Sequence, residues 1–387
     1  MQVVPLLVDS FNDVDELYTN TPYLYYSMTD DTVSFIYSIF CIVTILVLYE
    51  LGNRYAIKAY RAISISIPKK QNKIIMILSF LCMFLPILGV ILSPSPNIYR
   101  NFSYFYTHSY NELGLEYLYH KYVILSLNYI ACFSILVYYF YKSGSKVSSI
   151  YTFLASAIVI WVDGKRALLL FLLIGILFID FLRLNFKIDK RIIIKGILLS
   201  SVVICYMSYY SNITNKNKDV SSYLSYNAYL CREGEVKMSI YSRCYDVDLL
   251  PYDGATLLFN MIFFIPRSYW EEKPYGFYNY ITSFAYYGRG DNFLPSSNRQ
   301  VNIWSEFIAN LGILGYILSF VFICWVVRLS ERSCNKMLYM IGTLFIITYF
   351  CFGFEFIVRF LFIVWVVLLA KNNSKKHKKR VLVYKSI

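Results

Sequence analysis

The chain has 387 residues, of which 58% are hydrophobic and only 16% are charged, and its formal net charge is +13. The apolar residues lie in runs of about 15 to 25 separated by short polar breaks, which is typical of a polytopic membrane protein and excludes a soluble globular domain. The positive charge falls mainly in the polar breaks on one side of these runs, so it favours anionic lipid over nucleic acid as its counterpart.

Nine apolar runs follow one another along the chain, each near the length that a bilayer requires. They lie at 33–49, 74–92, 122–141, 148–162, 167–182, 196–210, 303–327, 338–352 and 356–370. The first thirty residues carry no Lys or Arg and no compact apolar stretch, so we expect no cleavable signal peptide. The sequence therefore predicts an all-α polytopic integral membrane protein, with about nine transmembrane helices in a single transmembrane domain over 1–387.

The distribution of basic residues predicts the orientation. With the N-terminus outside, 23 of the 37 Lys and Arg residues fall on the cytoplasmic side, although the outside loops are much longer. The basic segment 371–387 is then a cytoplasmic tail, which we interpret as a topology anchor. We expect a multi-pass protein with its N-terminus outside and its C-terminus in the cytoplasm.

Two segments on the outside interrupt the predicted spans. The first, 93–121, is rich in tyrosine. The second, 211–302, is a large extracytoplasmic loop that should contain short helices, because structureless loops of this length are uncommon in compact proteins. Its apolar stretch 257–265 is too short to span a bilayer, which predicts a helix or a re-entrant segment at the outer membrane surface.

Most of the nine cysteines lie within predicted spans, where cysteine acts as a small apolar residue. Cys231 and Cys244 share the large outside loop, so they form a disulfide bridge or remain two free thiols. The three histidines are scattered and no zinc signature occurs, so we expect no metal. Walker A, dinucleotide-binding and nucleophile-elbow signatures are missing as well, and we expect no cofactor.

The segment 263–315 concentrates polar and aromatic residues beside an apolar run. Its basic residues are Arg267, Lys273, Arg289 and Arg299. Arginine can grip a phosphate or diphosphate bidentately, and aromatic faces can stack on sugar rings. Each residue also has a plainer interpretation: aromatics as interfacial belt, and Pro266 and Pro274 as turn residues.

Two further ionisable positions lie at the outside ends of spans. Arg166 begins the fifth span, where it either binds an anion or snorkels to the interface. Glu306 lies at the outer end of the seventh span, where burial would suit it to proton abstraction. The nearby Gly312 and Gly315 are expected to permit close helix packing. Asp246 and Asp248 form a short DxD pair that could hold a divalent cation, although such matches are frequent by chance.

The order of these residues resembles a known family. The pattern consists of Gly164-Lys165-Arg166, Arg243 with Asp246, Pro266-Arg267 with Trp270, Lys273-Pro274, Tyr280 with Thr282, and Glu306 with Asn310, Gly312 and Gly315. It is similar to the Wzy-type polymerases that build O-antigen and capsular polysaccharides, and the matching positions cover about a quarter of the chain. The family often has more than nine spans, and the first 120 residues match no family pattern.

The resemblance implies a GT-C type glycosyltransferase at the outer face of the bacterial cytoplasmic membrane. Its substrate would be an undecaprenyl-diphosphate-linked oligosaccharide. It would contact membrane lipid, and a chain-length regulator protein would be a further partner. No nucleic acid would be bound. Arg166, Arg243, Arg267, Lys273, Arg289 and Arg299 would bind the substrate and stabilise the diphosphate leaving group. Glu306 is the first candidate base, followed by Asp246 and then Asp291. Arg166 should lie near the segment 263–315.

Two other functions remain open from the sequence. A ligase that moves finished polysaccharide from the same carrier to another acceptor would need a similar outside loop. A flippase or exporter of lipid-linked oligosaccharide would place charges along a central path, whereas here the polar residues gather on one face.

Overall fold

The computed structural model describes residues 21–63, 73–102, 104–107, 110–142, 146–164, 166–184, 189–214, 233–263, 265–290, 301–333, 335–352 and 356–385. Within these ranges the chain is helical and contains no strand. The helices are α1 Pro22–Thr29, α2 Asp31–Ile63, α3 Lys73–Cys82, α4 Leu85–Ile91, α5 Tyr104–Thr107, α6 Tyr110–Leu113, α7 Leu115–Tyr119, α8 Leu125–Lys142, α9 Lys146–Asp163, α10 Arg166–Arg183, α11 Lys190–Thr214, α12 Glu233–Cys244, α13 Ala255–Ile262, α14 Phe277–Tyr287, α15 Ile303–Arg332, α16 Lys336–Phe352 and α17 Phe356–Lys385. A 3₁₀ turn, Pro96–Arg100, and a π-helical turn, His120–Ile124, complete the list.

All nine predicted apolar runs lie on helices, the second on the pair α3 and α4. Four helical segments are long and apolar enough to cross a membrane: Asp31–Asn53, Lys73–Ile91, Leu115–Lys142 and Ile303–Arg332. Shorter apolar segments occur at Val147–Asp163, Ile192–Tyr206 and Met337–Phe350. These segments are those of a helical membrane protein, while the number of nine spans stays a prediction.

Large apolar side chains point outward along the long helices. Phe35 is 66% exposed, Ile74 is 74% exposed and Ile313 is 78% exposed. Patches of this kind are unfavourable in water but match the hydrocarbon of a bilayer. The same residues that make the runs apolar therefore form an outer surface suited to lipid.

Contacts divide the chain into two compact units. The first consists of Met1–Ile63 and Asp219–Ile387, and the second of Ser64–Lys218. In the second unit, α8 is the central helix and packs against α3, α4, α9 and α10. Its Ala131 and Ile135 are fully buried, so this helix forms the core of that unit.

The first unit holds most of the segment that the sequence singled out. Helix α12 packs against α1, α2 and α15, and α16 packs between α15 and α17. Leu24, Met238, Phe277, Phe284 and Ala309 belong to one buried apolar cluster. Among its described residues, the predicted outside loop 211–302 includes the short helices α12, α13 and α14, as expected, while its place outside the membrane stays a prediction. The basic segment 371–387 continues α17 as helix to Lys385.

Candidate active site

Helix α15 begins with a short segment that is separated from the rest of the helix. Asn302 caps its start, because the Asn302 side chain accepts from the Ser305 amide at 2.8 Å and the Ser305 hydroxyl accepts from the Asn302 amide at 3.2 Å. This reciprocal capping box fixes where the helix starts. At Gly312 the backbone is non-helical, with φ 57° and ψ −135°. The positive φ explains why glycine stands at the break.

Gly315 allows the chain to fold closely on itself just after the break. A Cβ atom at this position would lie 1.8 Å from the carbonyl oxygen of Phe307. Both motif glycines therefore serve a local distortion of α15, whereas the sequence had suggested close packing between helices. The consequence is a helical segment, 303–311, of about two and a half turns, which the break separates from the long apolar helix and which carries Glu306.

The carboxylate of Glu306 is buried among neutral hydrogen-bond donors. The residue is 1% exposed. Its Oε1 accepts from Asn260 Nδ2 at 2.6 Å, and its Oε2 accepts from the Tyr349 hydroxyl at 3.4 Å. Asn260 lies on α13 and Tyr349 on α16, so three elements converge on this carboxylate. Burial of a carboxylate among neutral donors costs solvation free energy. Its presence at this position therefore indicates a functional use.

Asn310 locks α13 against the helical segment that carries Glu306. Its Oδ1 accepts from the Thr256 amide at 3.2 Å, while its Nδ2 donates to Thr256 Oγ1 and to the Glu306 carbonyl, both at 2.6 Å. Thr256 and Asn260 lie one turn apart on α13, so they face the same side. The Asn310 side chain thereby sets the position of Asn260 relative to Glu306.

Two cations lie close to the aromatic ring of Phe259, the residue that precedes Asn260. Lys273 Nζ lies 5.1 Å from the ring centroid, and the Arg359 guanidinium carbon lies 4.8 Å from it. Arg359 also lies 5.0 Å from the centroid of Phe263. Cations are attracted to aromatic faces at such distances, which allows two of them to be held close together.

Lys273 is only 5% exposed, and its ammonium group is anchored by backbone. Nζ donates to the carbonyl oxygens of Phe263 at 2.9 Å and Ile265 at 2.6 Å. Burial lowers the pKa of Lys273, and the charges of Arg267 and Arg359 lower it further. Arg267 and Arg359 are therefore both within electrostatic range of Lys273. The Arg359 charge also acts on Glu306.

Arg267 holds the turn that leads from α13 to α14. Nη1 donates to the Glu271 carbonyl and Nη2 to the Pro274 carbonyl, both at 3.1 Å, and the guanidinium stacks 3.5 Å from the Tyr275 ring centroid. These bonds use two of its five N–H donors, so the others remain for a ligand. The Tyr280 hydroxyl accepts from the Tyr275 amide at 3.0 Å, which fixes the same turn.

Arg243, at the end of α12, stabilises the break in α15. Its Nε donates to the Ala309 carbonyl at 3.1 Å and its Nη2 contacts Asp253 Oδ1 at 2.5 Å. Ala309 lies just before the break at Gly312, and a cation compensates the partial negative charge at the end of a helical segment. In this structure Arg243 therefore supports the segment that carries Glu306.

Asp246 lies at the C-terminal end of α12 and is exposed. It has φ 51°, and the next amide, that of Val247, donates to the Ser242 carbonyl at 2.9 Å. This is the 6→1 bond of a helix-terminating turn, in which a left-handed residue is required. Asp246 thus has a structural role in ending α12. Across the described ranges, no three His, Cys, Asp or Glu residues come together as metal ligands.

The remaining predicted site residues are not brought to Glu306 by the described contacts. Arg289 is exposed, and its carbonyl accepts from Ser283. Asp291 and Arg299 lie outside the described residues, as does Cys231, for which a bridge to Cys244 and a free thiol were both left open. Arg166 begins α10 in the other unit, and its side chain is outside the description. Their predicted roles stay predictions.

Sequence reasoning missed Arg359, Asn260 and Tyr349. Arg359 could have been found, because an arginine inside a predicted span is a functional-site candidate on cost alone. Asn260 carried a weaker signal, as one amide in an otherwise apolar stretch. Tyr349 is one of 39 tyrosines and carried none.

Comparison of the chain with protein-family models, with curated proteins and with solved structures found no match.

Proposed function

We propose that this protein is a membrane glycosyltransferase that elongates a polysaccharide from a lipid-diphosphate-linked donor, as the resemblance to Wzy-type polymerases implies. One observation carries the proposal: α13 joins a buried carboxylate to a pair of cations. Its Asn260 binds Glu306, and the ring of the adjacent Phe259 contacts both Lys273 and Arg359. A base and a cationic site next to each other are what transfer from a diphosphate requires.

The proposed reaction forms one C–O bond and breaks another. A hydroxyl oxygen of the acceptor sugar attacks the anomeric carbon of the donor glycan, and the bond from that carbon to the diphosphate oxygen breaks with its electron pair. The hydroxyl proton passes to Glu306. The diphosphate leaves with increased negative charge, which Arg359 and Lys273 stabilise electrostatically. Arg267, with donors left over, adds to the same positive field.

Access to Glu306 runs past Asn260. The carboxylate is buried, whereas Asn260 is half-buried. An acceptor hydroxyl that replaces the Asn260 amide on Oε1 would make an equivalent hydrogen bond, so entry of the acceptor need not leave the carboxylate unsatisfied. The Tyr349 hydroxyl and the Arg359 charge would keep the carboxylate in place during this exchange.

The natural substrates proposed here are undecaprenyl-diphosphate-linked oligosaccharides, at the outer face of a bacterial cytoplasmic membrane. The experiment is to delete the gene from its natural host and to analyse both the surface glycan and the carrier-linked glycan. A polymerase predicts that long chains disappear while single repeat units still reach the acceptor lipid. Long polymer that accumulates on the carrier would instead indicate a ligase, and an unchanged glycan would contradict the proposal.

A further inference from the structure

An apolar groove of about 540 Å³ lies between α2 and α15, away from the residues around Glu306. Val43 and Val47 form one wall, and Ile317 and Val321 belong to the other. Both walls are parts of helices that are long and apolar enough to cross a membrane. The volume falls within the range of small-molecule sites.

The two ends of this groove differ chemically. At one end the Tyr316 hydroxyl lies 3.2 Å from Thr44 Oγ1 and 3.4 Å from the Phe40 carbonyl, so a hydrogen bond joins the two helices there. At the other end lies Arg328, the one charged residue among the described residues that line it. Arg328 is exposed, so its guanidinium is accessible to an anion.

The length between these ends matches one leaflet of a bilayer. Tyr316 and Arg328 are twelve positions apart on α15, which corresponds to about 18 Å of helix. Half of a hydrocarbon core is about 15 Å thick. Trp325, which is 46% exposed and also lines the groove, is a residue type that is enriched where hydrocarbon meets headgroups.

We propose that this groove binds one acyl chain of an anionic phospholipid whose phosphate contacts Arg328. Charge complementarity assigns the headgroup to the Arg328 end, and the apolar walls that lead toward Tyr316 accommodate the chain. Along α15, Glu306 and Arg328 lie on opposite sides of the Tyr316–Thr44 hydrogen bond. A polyprenyl diphosphate bound at Glu306 would therefore place its charge in one leaflet, and the charge of Arg328 fits a phospholipid of the other leaflet. In the predicted topology this is the cytoplasmic leaflet. The choice of a phospholipid over the polyprenyl carrier rests on the proposed function, whereas the binding of a lipid phosphate at Arg328 does not.

The test is native mass spectrometry of the full chain, purified in a mild detergent and titrated with phosphatidylglycerol. We expect one tightly bound lipid, with affinity reduced roughly tenfold or more in Arg328→Gln, because a charge-assisted contact to phosphate is lost. Arg332→Gln, one turn further along α15 and not part of the groove, is the matched control and should bind as the unmodified chain does.

Val321→Trp fills the groove and should reduce binding of phosphatidylglycerol and of neutral phosphatidylethanolamine alike. Val43→Trp on the facing helix repeats this test if the first variant does not fold, as judged by gel filtration and thermal unfolding. Equal affinity in Arg328→Gln and Arg332→Gln would overturn the proposal. Preferential binding of undecaprenyl phosphate would also overturn it, and so would a dimer that the Val321→Trp substitution dissociates. Either result would show that something other than a phospholipid occupies the groove.

Discussion

Two carboxylates, one in each unit, lie within apolar helices, and their surroundings differ. Asp180 on α10 forms an ion pair with Lys195 of α11, and its Oδ1 accepts from the Tyr139 hydroxyl at 2.7 Å. Lys195 also donates to that hydroxyl at 2.6 Å. Glu306, by contrast, accepts from an amide and a tyrosine, and its cation, Arg359, is placed over aromatic rings.

The difference teaches that a charge inside an apolar helix is not by itself a sign of chemistry. Asp180 is neutralised directly by a cation and ties three helices together, α8, α10 and α11, which is a structural arrangement. Glu306 accepts hydrogen bonds from a neutral amide and a neutral hydroxyl, and the charge of Arg359 acts on it. This arrangement suits the proton transfer proposed for it. We therefore expect substitutions at Glu306 and Arg359 to impair the reaction, and substitutions at Asp180 to impair stability.

The largest effect should follow from removing the proposed base. Glu306→Gln keeps the size and an oxygen that accepts from Asn260, but cannot take up a proton. We expect polymer formation to fall roughly 10²-fold to 10⁴-fold, the usual contribution of a general base. The measurement is chain length in a complemented deletion strain and turnover of purified protein.

Glu271→Gln is the control for this substitution, since Glu271 is exposed and only its carbonyl serves a structural bond. It should form polymer normally. Polymer of natural length from the Glu306→Gln protein would show that Glu306 is not the base. Loss of folded protein would show that Glu306 has a structural role, as Asp180 does.

Arg359→Gln should have the next largest effect. It removes the charge that acts on Glu306 and the cation beside Phe259, and loss of such a stabilising group costs roughly 10²-fold to 10³-fold in rate. Turnover with saturating lipid-linked donor is the relevant measurement. Lys371→Gln, on the same helix and exposed, is the control. Equal rates for the two variants would show that Arg359 only packs against its aromatic neighbours.

Lys273→Met should destabilise the turn after α13, in addition to removing a cation that is proposed to stabilise the diphosphate. The substitution leaves the carbonyls of Phe263 and Ile265 without their donor, and it also removes the repulsion between Lys273 and the nearby arginines. We expect the free energy of unfolding to fall by a net amount of about 2 kcal/mol. Thermal unfolding in detergent measures this cost. A midpoint equal to that of the unmodified protein would contradict the anchoring role.

Lys273 also predicts a dependence of stability on pH. Because its pKa is lower in the folded state than in the unfolded state, the unfolded chain binds more protons between the two pKa values. Its contribution to stability should therefore rise as pH increases through that window, up to about 10.4. Lys273→Met should lack this component of the pH profile.

The smallest effect should come from Asp180→Asn. The pair with Lys195 is partly exposed, with side-chain exposures of 36% for the lysine and 19% for the aspartate, so breaking it should cost about 1 kcal/mol. Polymer formation should continue, while the thermal midpoint falls. A protein of unchanged midpoint that forms no polymer would reverse the comparison between the two carboxylates.

Much of the helical organisation could be predicted from the sequence. Every predicted run coincides with helix, because hydrophobicity over the length of a span is a property of consecutive residues. The break at Gly312 was harder to predict from the sequence. Two glycines three positions apart fit either close packing or a distorted helix, and only the backbone angles and the approach of Gly315 to Phe307 distinguish the two.

The site was predicted in part. Glu306 was named from its place at the end of a span, and Lys273 and Arg267 from the polar segment around them. Their hydrogen-bond partners could not be named, because Lys273 binds carbonyls eight and ten positions away and Arg243 binds one 66 positions away. Such contacts depend on turns and on packing between helices, neither of which has a periodic signal.

By itself the sequence determined that the chain is helical, that its runs suit a membrane, and that polar chemistry gathers between α12 and the start of α15. Burial of apolar side chains imposes these features residue by residue. Only the tertiary structure decided which charged groups face carbonyls and which face a carboxylate. That choice depends on where Asn260, Phe259 and Arg359 meet in space, and hydrogen bonds are strong only over about 3 Å.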